Sequence, residues 1–237
     1  MEPRNPFEQR TVISRRGGRV KKPLSRDGIV AVALKLLRRE GLEGMSLRKV
    51  ATVLDTGAAS LYAYVADLRE LQTLVLDKAL EKVEIPAVST DGWRKHLASL
   101  LESYVTVLAH TPDLPQIAMN TVAAGPNALR IMDSMLGLLE EAGVDRQRAA
   151  WAVDLLNLYI TAIAAEQNHR KAHSDALGQF IRVLGAVAPQ DFPRIHASRE
   201  SLMTGGGLER FHWAIDVILH GVLQTPIGAA RASAQPK

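Results

Sequence analysis

The sequence predicts an all-α protein with a small N-terminal three-helix, helix-turn-helix domain and a larger C-terminal helical domain. Apolar residues recur three and four positions apart along most of the chain, which is the spacing of amphipathic helices. No alternating pattern is long enough to predict a strand. Basic residues gather near the N-terminus, which sets the front of the chain apart from the rest.

The composition is that of an ordinary globular protein. The 237 residues are 47% hydrophobic and 5% aromatic. The absence of cysteine excludes disulfides, a thiol nucleophile and Cys-ligated metal sites, and it indicates a reducing cytoplasm. No apolar run reaches the roughly 18 residues that span a bilayer, and the N-terminus has no stretch typical of a signal peptide. We therefore expect a cytoplasmic protein without a membrane partner.

Charge is distributed unevenly along the chain. Residues 1–65 carry thirteen Lys and Arg against six Asp and Glu, whereas the remainder carries sixteen against nineteen. Positive charge at one end is typical of proteins that bind a polyanion such as nucleic acid. A solvated basic tail without a partner has the same pattern, so charge alone leaves both interpretations open.

The first 22 residues are predicted to form a flexible basic arm. They hold seven Lys and Arg and show no helical period. Arginines in such an arm can enter the minor groove of DNA, and a disordered tail is the alternative. The first helix begins after Ser25, a typical N-cap residue, and Gly41 is placed to end it.

Two short helices joined by a tight turn follow. Ser46 caps the second helix, and Asp55 stands in the turn, where Asp tolerates a left-handed backbone better than most residues. The third helix is predicted from Ala58 to about Val65, and Asp67 caps a fourth. This arrangement is typical of a helix-turn-helix, which places its last helix in the major groove of DNA.

Beyond Pro86 the chain is predicted to be helix after helix, separated by Pro, Gly and Asp. The predicted helices are Asp91–Ala109, Asp113–Ala123, Pro126–Ala142, Asp145–Arg170, Ser174–Gly185 and Leu208–Leu223. Two prolines and three consecutive glycines predict a long loop over residues 186–207. The resulting division is an arm (1–22), a helix-turn-helix domain (23–70), a helical domain (71–226) and a disordered tail (227–237).

The N-terminal residues resemble the tetracycline repressor (TetR) family. The resemblance runs from Ile29 through Met45-Ser46-Leu47-Arg48-Lys49-Val50-Ala51 and Leu61-Tyr62-Ala63-Tyr64-Val65 to Glu70-Leu71. It implies a dimeric transcriptional repressor that is released from DNA when a small molecule binds in the C-terminal domain. The C-terminal part is similar, more loosely, to the tetracycline-repressor branch, in the helix at Trp93 and in Gly143-Val144-Asp145.

The resemblance also implies which residues contact double-stranded operator DNA. They open the second helix or lie in and around the recognition helix, and they are Ser46, Arg48, Lys49, Thr56, Gly57, Ala58, Ala59, Ser60, Tyr62 and Tyr64. An arginine can reach a guanine edge, and a phenol hydroxyl can hydrogen-bond a phosphate. The alternatives are a half-buried helix residue for Tyr62 and packing under the fourth helix for Tyr64.

In the family, two C-terminal helices pack against the same helices of a second copy. The candidates here are the last helix and the helix that follows Asp145, through Leu155, Leu158, Ala162, Phe211, Ile215, Ile218, Leu219 and Val222. The alternative is that both stripes fill the core of one chain. We expect a homodimer, because a palindromic operator is read by two copies.

A small apolar organic effector is expected to bind among the C-terminal helices. Its candidate contacts are adaptable apolar side chains with neutral polar partners, namely Tyr104, Met119, Met132, Met135, Trp151, Asn157 and Thr161. The tetracycline repressors hold a magnesium–drug chelate through a histidine in the region that corresponds to Gln116–Val122, and no histidine stands there. We therefore predict no metal and no cofactor.

Two other classes of protein compete with this interpretation. An enzyme would need a nucleophile triad, a phosphate-binding glycine loop, paired carboxylates or a metal cluster, and the sequence shows none of these. A helix-turn-helix activator, or an architectural DNA-binding protein without a ligand, has the same N-terminal pattern.

Overall fold

A computed structural model describes residues 7, 24–87, 92–172 and 175–227 of the chain. Within these residues the chain forms helices and no strand. The helices are α1 (Arg26–Gly44), α2 (Leu47–Val53), α3 (Ala58–Leu61), α4 (Leu68–Leu80), α5 (Trp93–His110), α6 (Leu114–Met119), α7 (Pro126–Glu141), α8 (Arg146–Ala172), α9 (Ala176–Ala186), α10 (Pro193–Ala197), α11 (Arg199–Met203) and α12 (Gly207–Gln224). The predicted all-α class is confirmed.

The chain forms two compact units, which are described separately. The first comprises Met1–Val88, Ser99–Ser134 and Tyr159–Asn168, and the second comprises Ser89–Ala98, Met135–Leu158 and His169–Lys237. The predicted boundaries between arm, domains and tail stay predictions. Apart from Phe7, the arm lies outside the described residues, as does the tail beyond residue 227.

Three side-chain caps set the helix starts in the N-terminal part of the first unit. The Ser25 hydroxyl accepts the Gly28 N–H at 3.1 Å, and the Ser46 hydroxyl accepts the Lys49 N–H at 3.2 Å. The Asp67 carboxylate accepts the Glu70 N–H at 2.8 Å, while the Glu70 side chain accepts the Ala66 N–H at 2.6 Å. Because each cap satisfies an otherwise unpaired helix N–H, these residues fix where α1, α2 and α4 begin.

The apolar faces of these helices are covered within the chain. The buried side chains include Ile29, Ala33 and Leu37 of α1, Val50 and Ala51 of α2, Leu61 of α3, and Leu71 and Val75 of α4. Asp55 has φ +49° in the turn between α2 and α3, as expected for a tight helix-turn-helix connection. Gly41 has φ +67° and ψ −164°, a non-helical conformation that kinks α1, and the helix ends at Gly44 rather than at Gly41 as predicted.

A buried carboxylate joins α4 to α7 in the same unit. Asp77 is 7% exposed, and its carboxylate accepts the backbone N–H groups of Asn127 and Ala128 and the Asn127 side-chain amide, each at 3.0 Å. These are donors of the first turn of α7, which no intrahelical carbonyl can satisfy. Asp77 therefore caps α7 from a helix 50 positions away in the sequence.

Three further predicted elements need correction. The α-helix of α3 ends at Leu61 and continues as a turn through Tyr64, so it is shorter than the predicted 58–65. Helix α6 ends at Met119, before the predicted Ala123. The predicted loop 186–207 holds α10 and α11, and Pro193 at the first position of α10 starts a helix there.

One described helix is long and apolar enough, by length and composition alone, to cross a membrane. This is the segment Arg146–Arg170 of α8, with a mean hydropathy of 1.2 over its best window. The sequence analysis missed it because its apolar residues are interrupted by polar ones and form no unbroken run. About a third of that window is buried.

Candidate nucleic-acid interface, dimer surface and ligand residues

The surface formed by α2, the turn and α3 has the geometry of a helix-turn-helix. Leu61 is fully buried and holds α3 against the core, while Arg48, Ala59 and Ser60 are exposed. Tyr62 follows α3 with 55% of its surface exposed, which favours the DNA-contacting interpretation over a half-buried helix residue. Gly57 is exposed, and nothing lies within 4 Å of where a Cβ would stand. Thr56 and Ala58 are half-buried at the edge of this surface.

Lys49 is engaged within the protein. Its ammonium donates to the Glu40 carboxylate at 3.1 Å and to the Glu43 carbonyl oxygen at 3.3 Å. Hydrogen bonds from Arg39 and then from Lys49 lower the pKa of Glu40 from its ordinary value. Because Lys49 would have to leave these partners to reach a phosphate, Arg48 is the stronger candidate on α2.

Tyr64 belongs to the core of the first unit. Only 9% of its surface is exposed, and its backbone N–H donates to Leu61 at 2.8 Å in the turn that ends α3. This is the packing alternative of the sequence analysis, and we no longer place Tyr64 on the DNA-facing surface. The aromatic pattern Tyr62-Ala63-Tyr64 could not separate the two residues, because the turn after α3 sends them to opposite sides.

The exposed apolar surface of α8 and α12 differs from the stripe that the sequence predicted. Phe211, Ile215 and Leu219 are each at most 3% exposed, so they fill the core of the single chain. Their spacing of four places them on the inner side of α12, whereas Trp213 and Val217 lie outside. Ile218 and Val222 are half-buried beside them. Of the predicted dimer residues of α12, three are therefore buried in the chain and only Ile218 and Val222 reach its surface.

A groove of about 420 Å³ in the second unit lies between the outer sides of these helices. Its apolar lining includes Trp151, Ala152 and Leu155 of α8 and Val217, Ile218, Gly221 and Val222 of α12. Leu158, one turn beyond Leu155, is 63% exposed, and Ala162 is exposed further along α8. The sequence analysis missed Val217 and Gly221, although their spacing of four from Trp213 carries the signal.

Two predicted ligand residues lie at the protein surface. Trp151 is 60% exposed and lines the groove with α12, so it belongs with the apolar surface described above. Met119 is 61% exposed at the end of α6. Short apolar patterns do not show on which side of a helix the core lies, and this is why both residues were placed in a pocket.

The other predicted ligand residues are buried or half-buried. Tyr104 is 6% exposed and Met135 is fully buried, while Met132, Asn157 and Thr161 are half-buried. Burial alone raises the pKa of Tyr104 to about 12, and its hydroxyl, neutral near pH 7 as in any tyrosine, can donate a hydrogen bond. No hydrogen bond from the described part of the chain reaches that hydroxyl. The site as a whole stays a prediction.

Polar side chains line a second groove, of about 830 Å³, in the first unit. It lies among α1, the end of α4 and α5, and Arg38, Lys82, Glu84, Glu102 and His110 are among its lining residues. None of the predicted ligand residues lines it. His110 is exposed and its ring nitrogen contacts the Thr106 carbonyl oxygen at 2.8 Å, as expected of a surface residue. Among the described residues, no three His, Asp or Glu side chains form a metal cluster.

Comparison with known proteins agrees with this architecture. Residues 85–225 match the family described as "Tetracyclin repressor-like, C-terminal domain". The chain is 33% identical over 159 residues to the HTH-type transcriptional repressor DrrR1 of Streptomyces coeruleorubidus, an alignment that covers 66% of this chain and 59% of that protein. It is 32% identical over 161 residues to an HTH-type transcriptional regulator of Saccharopolyspora erythraea, covering 68% and 67% of the two chains.

Solved structures show the same fold. The TetR family protein ActR of Streptomyces coelicolor, in complex with actinorhodin, superposes with a TM-score of 0.78 at 32% identity. That match covers 85% of this chain and 98% of ActR. The N-terminal helix-turn-helix with its local caps, the helical body and the match over residues 85–225 lead to one assignment. The chain belongs to the tetracycline repressor (TetR) family of transcriptional regulators.

Proposed function

We propose that this protein is a transcriptional repressor that binds a palindromic operator as a homodimer and is released when a small organic molecule binds among its C-terminal helices. The observation that carries the proposal is the surface of α2 and α3. Val50, Ala51 and Leu61 are buried, and the surface exposes Arg48, Ser60 and Tyr62 beside alanines that can pack on thymine methyl groups.

Arg48 is the residue proposed to read or position the DNA most directly. Its guanidinium is exposed at the start of α2, and no described residue pairs with it. We expect Arg48→Ala to weaken operator binding by about 1–3 kcal/mol and Tyr62→Phe to weaken it by less. The matched control is Arg194→Ala, which removes an equally exposed arginine from α10. Equal affinities for the Arg48 and Arg194 variants would overturn the assigned surface.

The apolar surface on α8 and α12 is proposed to be covered by the same surface of a second copy. An interface that pairs one patch with its own copy has two-fold symmetry, which matches the symmetry of a palindrome. Trp151, Leu155 and Leu158 of α8 supply large exposed side chains, and Gly221 of α12 allows close approach. Exposed apolar surface of this kind is typical of a protein–protein contact.

A pair of valine substitutions tests this interface. Val217 and Val122 are both exposed in the single chain, but only Val217 lines the groove. We expect Val217→Asp to produce monomers in sedimentation, because pairing would bury an uncompensated charge, and Val122→Asp to remain dimeric. A dimer in both variants, at concentrations where the wild type is dimeric, would remove this groove from the interface.

The effector is proposed to be a largely apolar organic molecule that carries a hydrogen-bond acceptor. Tyr104 supports this, because the residue is only 6% exposed and no described residue bonds to its hydroxyl, which leaves that hydroxyl able to donate to a ligand. The solved neighbour ActR is complexed with actinorhodin, so actinorhodin is the probe of choice. We expect it to release operator DNA equally well with and without a chelator, as a metal-free site requires.

Tyr104→Phe tests the proposed hydrogen bond within this site. The variant should require roughly tenfold more actinorhodin for release, which is the cost of one hydrogen bond, without a change in operator affinity when no ligand is present. Thr106→Val is the control, because Thr106 is exposed on α5 two residues after Tyr104. Loss of release on adding chelator would refute the metal-free site, and unchanged release by Tyr104→Phe would move the ligand elsewhere.

The basic arm is proposed to add non-specific contacts to phosphate. Its seven Lys and Arg would release counterions on binding. Deleting residues 1–22 should make the log–log dependence of affinity on salt shallower by several units if most of these charges contact phosphate. An identical slope in the full-length and truncated proteins would leave the arm without a role in DNA binding.

A further inference from the structure

Two residues with left-handed backbone conformations meet where α1 ends and α6 begins. Gly41 has φ +67° and Asp113 has φ +56°. The Asp113 carboxylate accepts the backbone N–H of Leu42 at 2.8 Å, across 71 positions of sequence. Asp113 precedes α6 as its N-cap residue, yet its side chain makes no capping bond to that helix. The carboxylate is directed to α1 instead.

Asn168 of α8 holds Asp113 from the other side. The Asp113 N–H donates to the Asn168 side-chain oxygen at 3.2 Å. The Asn168 side-chain amide donates to the carbonyl oxygens of Ala109 and Thr111, at 3.3 and 3.1 Å. One side chain therefore bonds to three backbone groups at the end of α5 and in its connection to α6. A continuous set of hydrogen bonds runs from α8 through this connection to the end of α1.

Gly41 shows how closely these segments approach. A Cβ added at Gly41 would stand 2.5 Å from the Asp113 carboxylate oxygen, too close for a real contact. Its positive φ also favours glycine over any other residue. A side chain at position 41 would displace the Asp113 carboxylate and so disturb its hydrogen bond to the Leu42 N–H.

The end of α1 leads directly into the proposed DNA-binding surface. Leu42 is four residues before Ser46, the cap of α2, and Met45 between them is buried together with Val50 and Leu61. Because α1, α2 and α3 share this packed core, a shift of the Leu42 backbone carries the recognition surface with it.

We propose that Asp113, oriented by Asn168, is a positioning residue that fixes the recognition surface of α2 and α3 relative to helices α5, α6 and α8. The proposal rests on the proposed function, because such an orientation matters when two copies must fit two half-sites at a set distance. Asp113 contacts no DNA in this scheme. Its effect is on the spacing between half-sites that the dimer accepts.

Synthetic operators with altered half-site spacing test the proposal. The operator comes from the footprint of the full-length protein, and its spacing is changed in steps of one base pair. The wild type is expected to prefer one spacing strongly. Asp113→Gly removes the carboxylate but keeps the left-handed backbone unstrained, and its preference for the best spacing should fall about tenfold. Asp113→Asn, which retains an oxygen acceptor and tolerates positive φ, should keep most of the preference.

A second variant, on the α1 side, tests the same contact between Gly41 and Asp113. Gly41→Ala should reduce spacing preference as Asp113→Gly does, because its Cβ collides with the carboxylate. Gly143→Ala is the matched control, since Gly143 has φ +78° but nothing lies within 4 Å of its added Cβ. It places an alanine at a positive φ without the collision, and it should leave spacing preference unchanged.

The outcomes distinguish a positioning role of Asp113 from a general loss of DNA binding. An unchanged spacing preference in a folded Asp113→Gly protein would overturn the proposal, and so would an equal loss of affinity for every operator and for a single half-site. Faster hydrogen exchange of the Leu42 amide in Asp113→Gly, measured without DNA, would support the connection independently of any operator. If the wild type binds no paired half-sites, the proposed repressor function is contradicted. The exchange rate of the Leu42 amide then tests by itself whether Asp113 holds the end of α1.

Discussion

The N-terminal helices α1–α4 and the helices α8 and α12 expose opposite kinds of surface. On α2 and α3 Val50, Ala51 and Leu61 are buried, Val53 is the one large apolar side chain left exposed, and Arg48, Ser60 and Tyr62 lie outside. On α8 and α12 one row of apolar residues is buried, and a second row that includes Leu158 and Val217 is left exposed. The first surface is suited to bind a polyanion, whereas the second is suited to pack against another apolar surface.

The two sides of α12 provide the sharpest test of this comparison. Leu219 is 1% exposed and Val217 is 51% exposed, although they lie two residues apart. We expect Leu219→Asp to lower the free energy of unfolding by about 3–5 kcal/mol, because it buries an unpaired charge. Val217→Asp should leave the unfolding of the monomer nearly unchanged and abolish dimerisation. Urea unfolding and sedimentation measure the two effects. Equal free energies of unfolding for the two variants would mean that Leu219 and Val217 do not lie on different sides of α12.

A buried polar contact in the first unit should matter next most. Asp77→Leu would leave three donors at the start of α7 without an acceptor. We expect the free energy of unfolding to fall by about 2–4 kcal/mol, as for buried groups that lose their partner. Asp77→Asn keeps one oxygen that can accept the two backbone N–H groups, so it should cost less. A leucine variant as stable as the wild type in urea would show that α7 has no need of this cap.

The smallest expected effect concerns the start of α2. Ser46→Ala removes the hydroxyl that caps the Lys49 N–H, and we expect a loss of about 1 kcal/mol in unfolding free energy. Ser60→Ala serves as the control, because Ser60 is exposed on α3 and no hydrogen bond of its side chain is recorded. It should change stability by less than about 0.5 kcal/mol. Equal losses would show that α2 is held by packing alone.

The sequence predicted those features whose cause is local. Ser25, Ser46 and Asp67 cap helices through bonds to residues three positions away, so short patterns were sufficient to place them. Gly41 and Asp55 take the left-handed conformations expected of their residue types. The resemblance to the TetR family rested on this same region and is confirmed.

The features that the sequence did not predict depend on contacts between distant elements. Apolar residues lie on more than one side of α12, so periodicity alone could not show that Phe211, Ile215 and Leu219 face the core. The burial of Tyr64 and the exposure of Trp151 could not be predicted for the same reason. The Asp77 and Asp113 contacts join positions 50 and 71 residues apart, and no pattern within a single helix indicates them.

In the proposed function, two copies of this chain read one operator through α2 and α3. Footprinting on the DNA upstream of the protein's own gene, combined with the stoichiometry of the complex by sedimentation, tests it most directly. We expect two chains on two half-sites whose centres lie about one helical turn of DNA, or a multiple of it, apart, and we expect weaker protection with Arg48→Ala. One chain on one site, or protection that Arg48→Ala leaves unchanged, would contradict it.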